Sequence, residues 1–144
     1  TFLLPLPSGQ VLLLTPGEVA RVRLYTPVGG PAAAWRPTIT GAPSSLTRGA
    51  SAMLTGTQLN GLGEAAMYGD ELDAATNYPL VRIRNVATGH VVYCRTHDYP
   101  MGVATGNALL TTSFDIPAGA ETGASKLTVV ANGIGSAEVD VSVL

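Results

Sequence analysis

The chain has 144 residues, 46% of them hydrophobic and 12% charged, with a formal net charge of −2. That composition supplies one sizeable core and excludes the basic footprint of a nucleic-acid or anionic-membrane binder. No apolar run approaches the roughly 18 residues of a membrane span, the opening Thr1 to Leu6 does not read as a signal peptide because it lacks a basic n-region, and the lone Cys94 excludes an internal disulfide.

Glycines (17) and prolines (10) punctuate short runs of Val, Leu, Thr and Ala. No apolar helical period persists for three turns, so an all-β protein is predicted. Phe2 to Leu6 and Gln10 to Leu14 are apolar runs joined by Pro7-Ser8-Gly9, a turn signal, and Pro5 places the first strand at an edge. Val19 to Tyr25 alternates Val22 and Leu24 with Arg21 and Arg23, one face for burial and one for water. Three short strands make no core of much size. Residues 1–37 therefore read as a hairpin appendage and linker, stiffened by Pro27, Pro31 and Pro37, with Trp35 as its only large apolar anchor. The appendage is expected to pack against the rest of the chain or a second copy.

Residues 38–144 carry the pattern of an immunoglobulin-like β-sandwich of about seven strands. The candidates are Thr38 to Thr40, Ser51 to Thr55, Leu80 to Asn85, His90 to Thr96, Leu109 to Asp115, Lys126 to Ala131 and Ala137 to Leu144. The last alternates Val139, Val141 and Val143 with Glu138, Asp140 and Ser142, and pairs with Lys126 to Ala131 through a loop opening with Asn132-Gly133, a strong turn signal. In the middle hairpin a two-residue Thr88-Gly89 turn would set residue 84 opposite 93 and residue 82 opposite 95. Arg82, Arg84, Tyr93 and Arg95 then share one face, as an anion-binding patch or a solvated sheet surface, and Val81, Ile83, Val92 and Cys94 share the other. Cys94 reads as a small core hydrophobe.

Residues 57–77 make a connection long for a sandwich. Its Asp70, Glu71 and Asp73, with Glu64 nearby, offer oxygen ligands suited to calcium, although the spacing is not that of an EF-hand loop. A solvated acidic turn, a short helical piece, or carboxylates folded back onto Arg82 or Arg84 are the other readings. His90 and His97 are the only imidazoles. His90 follows the hairpin turn, where exposure is expected, and His97 is either a locally hydrogen-bonded histidine or a ligand. No phosphate loop, nucleophile elbow or zinc spacing is present.

The run Pro117-Ala118-Gly119-Ala120-Glu121-Thr122-Gly123, followed by Leu127-Thr128-Val129-Val130-Ala131-Asn132-Gly133-Ile134-Gly135-Ser136, resembles the end of IPT/TIG and related early-set immunoglobulin-like domains. The whole chain resembles the C-terminal part of galactose-oxidase-like kelch-repeat proteins. In those, a last propeller segment similar to Leu4 to Val11 and Leu24-Tyr25-Thr26-Pro27 leads through a stretch like Trp35-Arg36-Pro37-Thr38-Ile39 into the early-set domain. Copper-radical oxidases of that family carry a histidine ligand in a Thr-His pair that Thr96-His97 resembles, so the resemblance implies His97 as one copper ligand. The propeller that would bear the tyrosine and the other histidine ligands is absent from this sequence, and one histidine does not make a copper site.

These residues point to a noncatalytic immunoglobulin-like binding or docking module, extracellular or at the cell surface, with no cofactor. Its expected partner is protein, either a propeller domain or a second copy of the chain in a homo-oligomer, and neither nucleic acid nor membrane. One alternative is the C-terminal domain of a copper-radical oxidase. Another is a carbohydrate-binding module, for which exposed aromatics are the usual platform, with Trp35 read here as a linker anchor.

Overall fold

The computed structural model describes residues 2–15, 17, 21–63, 78–100 and 105–144. Within them the chain is all-β, with one short 3-10 turn at Ala33–Trp35. Strands β1 (Phe2–Pro5), β2 (Val11–Thr15) and β3 (Arg21–Tyr25) form an antiparallel meander in that order. Its first turn closes as the sequence predicts. Gly9 takes φ +83 and donates to the Leu6 carbonyl at 2.9 Å, and the Leu6 amide donates to the Gln10 carbonyl at 2.8 Å. The register sets Leu4, Leu12 and Leu24 in one row and Leu14 beside Val22 in the next row of the same face.

The remaining strands are β4 (Thr38–Gly41), β5 (Ser45–Leu46), β6 (Ser51–Thr57), β7 (Leu80–Asn85), β8 (Val91–His97), β9 (Leu110–Asp115), β10 (Gly123–Ala131), β11 (Ile134–Gly135) and β12 (Val139–Val143). They form one sheet in the order β4-β6-β9-β8-β7-β10-β12-β5, with β11 on β10. The strand count is thus nine in place of about seven. All seven predicted strands are present, and the additions are β5 and β11, each two residues long and too short to show an alternation. The sheet curls on itself at β8, where Val91 to Cys94 pair with β7 and Arg95 to His97 pair with β9.

Inside the curl lies a single core. Alternate residues of each strand supply it: Leu54 of β6, Val81 and Ile83 of β7, Cys94 of β8, Phe114 of β9, Leu127 and Val129 of β10, and Val141 and Val143 of β12, all buried. Each such large side chain contributes about 1.5–3 kcal/mol by leaving water. The Asn132-Gly133 turn joins β10 to β11 with both residues in the left-handed region, φ +49 and +77, the geometry a two-residue hairpin requires.

The middle hairpin keeps its predicted faces but not its predicted register. Arg82 faces Tyr93 and Arg84 faces Val91. The loop holds four residues, Val86 to Gly89, because the Asn85 side chain organises it: its Oδ1 accepts from the Ala87 and Thr88 amides at 2.9 and 3.1 Å. Gly89, at φ +74, then donates back to the Asn85 carbonyl at 3.0 Å. A shift of two residues preserves the alternation, so the same side chains still point inward.

The meander meets the rest of the molecule around its first turn, where Leu4 to Pro7 line a small cavity with Tyr78, Leu80, Asn132 and Gly133. Gly9 and Gly133 touch backbone to backbone: a Cβ on Gly133 would stand 2.5 Å from the Gly9 Cα and 3.0 Å from the Leu6 carbonyl oxygen. Two glycines in left-handed conformation allow that approach, and no larger pair would. Beyond the linker, the Arg36 guanidinium donates to the Gly135 carbonyl at 3.1 Å.

Candidate functional site

His97, the last residue of β8, sits in a cluster that strand register assembles. Asp115 of β9 lies directly opposite Arg95 on one side and Ser51 of β6 on the other, and Ser113 lies opposite His97. Ser51 Oγ donates to Asp115 Oδ1 at 2.5 Å, and the His97 Nε2 reaches the same oxygen at 3.2 Å. The other ring nitrogen, Nδ1, lies 2.7 Å from Asp98 Oδ2, and Asp98 adopts a left-handed φ of 57 to put its carboxylate there. Arg95 stands 3.9 Å from Asp115. The imidazole is one-third exposed.

These contacts bias the protonation of both groups. The Asp98 hydrogen bond, aided by Asp115, raises the His97 pKa above its ordinary 6.5 against a smaller opposing effect of desolvation. The Ser51 hydroxyl, with His97 and Arg95, holds the Asp115 carboxyl below its ordinary 3.8. With a carboxylate on each nitrogen the protonated ring is favoured more than in a free imidazole, as in an ion-pair centre. Ser51 gives its proton to Asp115 and not to His97, so no nucleophilic triad is formed.

A pH dependence follows, and its sign is determined. The pKa of His97 is raised on folding, so its contribution is whole below 6.5 and is lost as pH rises through the elevated native value. That of Asp115 is lowered, so its contribution is whole above 3.8 and is lost as pH falls through the depressed native value. The melting-temperature difference between the native chain and His97→Gln is expected to peak between those two pH values and to shrink above them. Thermal melts from pH 3 to 9 check it, and a difference that grows toward pH 9 contradicts it.

The cluster does not assemble a copper centre by itself. Copper would have to displace a carboxylate from a ring nitrogen, and among the described residues no group of three or more His, Cys, Asp or Glu is arranged to hold a metal. The calcium candidates Asp70, Glu71 and Asp73 lie outside the described residues, as does Glu64. His90 is exposed after its turn, 3.7 Å from Glu121. Cys94 lies in the core, its thiol pushed up to about 12 by burial and then by the charge of Asp115, so it is not a nucleophile at neutral pH. On the arginine face Arg84 donates to both Glu138 oxygens at 2.9 Å, and Lys126 of the neighbouring strand meets Asp140 at 2.6 Å. Opposite charges on adjacent strands make that surface a solvated, interleaved one.

A second site is a groove that the sequence does not announce. It runs between the meander and the β10–β11 turn and comprises two cavities, of about 410 and 280 Å³, both lined by Trp35, Asn132 and Ile134. Trp35 is 51% exposed. The 3-10 turn that carries it faces β6's end: the Gln58 side-chain amide lies 3.1 and 3.2 Å from the Ala34 and Arg36 carbonyls, and donates to both with its nitrogen turned toward them. Along the rim, Ser8 donates to Gln10 Oε1 and Gln10 Nε2 donates to Thr26 Oγ1, each at 3.0 Å. Sequence reading placed Trp35 in a linker. The groove escapes it because four segments spanning over a hundred residues build the walls.

The molecule is therefore an all-β protein with one curled sheet, a small meander appended by its turn, a surface His-Asp cluster and an aromatic groove. No protein-family model matches the chain, and no curated protein matches it significantly. No helix among the described residues is long and apolar enough to cross a membrane.

Proposed function

We propose that the chain is a noncatalytic docking module, an early-set immunoglobulin-like sandwich whose β1-β2-β3 meander supplies the interface to an apolar sheet surface of another protein. One observation carries this reading. The meander presents Leu4, Val22 and Leu24 on one face at 46, 64 and 54% exposure, and its outer strands β1 and β3 each have a single neighbour. A three-stranded sheet with an uncovered leucine and valine face is marginal in water, and contiguous apolar patches of this kind mark protein contacts. Pro5 on β1 and the arginines of β3 limit pairing along the edges, which leaves the face as the contact surface.

In a pure solution the available partner is a second copy of the chain. Concentration-dependent self-association is expected by light scattering, together with binding of a hydrophobic dye. Both should be lost in the double variant Val22→Glu, Leu24→Glu, whose core melting stays unchanged because neither side chain belongs to the core. A chain that stays monomeric at all concentrations and binds no dye at this face overturns the reading.

A further inference from the structure

The groove beside Trp35 has features that the docking face does not explain. Among the described residues its lining contains no charged side chain. A lining of uncharged side chains favours a neutral ligand over an ion. The walls nevertheless combine a half-exposed indole with hydroxyl and amide groups, Ser8, Gln10, Thr26 and Asn132, at the edge of an apolar floor. The ligand that matches is flat and apolar on one face and rich in hydroxyls around its rim. A pyranose ring has that form: its axial C–H bonds stack on an aromatic face while its equatorial hydroxyls bond outward.

Two more observations support a built site. The turn that carries the indole is tethered: Arg36, the next residue, donates to the Gly135 carbonyl at 3.1 Å, which reduces the backbone freedom to be lost on binding. Two cavities, of about 410 and 280 Å³, also share Trp35, Asn132 and Ile134 in their linings, room for more than one ring unit beside the indole. A proline-rich peptide is the competing neutral ligand, but such peptides dock between several aromatic ridges, and this groove has a single indole.

We propose that this groove is a saccharide-binding site for a neutral glycan chain, with one pyranose stacked on Trp35 and its hydroxyls bonded to the amide and hydroxyl rim. The site stands independently of the docking face, which lies on other residues.

Trp35 is the one tryptophan of the chain, so tryptophan emission excited beyond the absorption of the five tyrosines reports this site alone. The full chain is titrated with neutral hexasaccharides (β-1,4-glucan, β-1,4-xylan, β-1,4-mannan, β-1,3-glucan and α-1,4-glucan) and with decaproline. A saturable emission shift and protection from acrylamide quenching are expected with at least one hexasaccharide and not with decaproline. Calorimetry with that sugar should show affinity reduced at least tenfold in Trp35→Ala. Asn132→Gly, which keeps the left-handed turn and removes the amide, should also weaken it severalfold. Circular dichroism confirms that both variants fold. The Val22→Glu, Leu24→Glu variant should bind the sugar normally, which separates this site from the docking reading. Silence across the panel, a response to decaproline in place of sugar, or undiminished binding by folded Trp35→Ala overturns the proposal.

Discussion

Phe114→Ala is expected to destabilise the chain by about 3–5 kcal/mol, the cost of removing a buried aromatic and leaving the cavity behind. Phe114 is fully buried in β9, with Ala52 of β6 opposite it on one side and Thr96 of β8 on the other. It is the largest of the fully buried side chains. The small size of Ala52 and the rigidity of strands paired on both sides leave the neighbours little room to collapse into the space. For a chain of this length the loss corresponds to a fall in melting temperature of roughly 10–15 °C. Phe114→Leu, which keeps most of the volume, should cost far less, near 1–1.5 kcal/mol. Urea and thermal melts of the two variants decide the matter, and an alanine variant within 1 kcal/mol of the native chain would show that the core does not centre on β9.

Gly133→Ala should be the most damaging single methyl at the surface. Two effects add. Gly133 has φ +77, where an alanine costs about 1–2 kcal/mol. Its new Cβ would also stand 2.5 Å from the Gly9 Cα and 2.9 Å from the Gly9 nitrogen, backbone atoms that cannot rotate away, and overpacking of this kind costs about 1–3 kcal/mol. Gly89→Ala is the control, since Gly89 has φ +74 with nothing near its absent Cβ and carries the backbone cost alone. If the meander swings off its seat to relieve the clash, hydrogen exchange in β1 to β3 should quicken in Gly133→Ala and not in Gly89→Ala. Equal exchange in the two variants would mean that the glycine contact does not hold the meander in place.

The strands were legible because their chemistry repeats every second residue. Val139, Val141 and Val143 could point only one way, and Asn132-Gly133 could scarcely be anything but a tight turn. The inward and outward faces of the middle hairpin survived a register error of two residues, since parity is all that alternation encodes. What alternation cannot encode is which strand lies alongside. Asp115 and Ser51 reach His97 only through the pairing of β6, β9 and β8, and nothing local in any of the three runs marks it. The local hydrogen bond expected of His97 is made to Asp98, its neighbour in sequence. Trp35 is the clearest case of the limit: a tryptophan among prolines and glycines looks like a linker anchor, and only the return of residues 132–134 beside it makes a groove.

The change of partner along β8 governs how the molecule comes apart and comes together. Because one continuous strand is bonded through its first half to β7 and through its second to β9, neither side of the curl can melt and leave the other intact. The β7–β8 hairpin closes over a short loop and is the natural early piece. The parallel register of β5 with β12, Ser45 against Ser142 and Leu46 against Val143, joins segments nearly a hundred residues apart and must wait for almost the whole chain. Assembly is accordingly slow and all-or-none: fragments cut anywhere between β5 and β12 would lack a stable structure of their own.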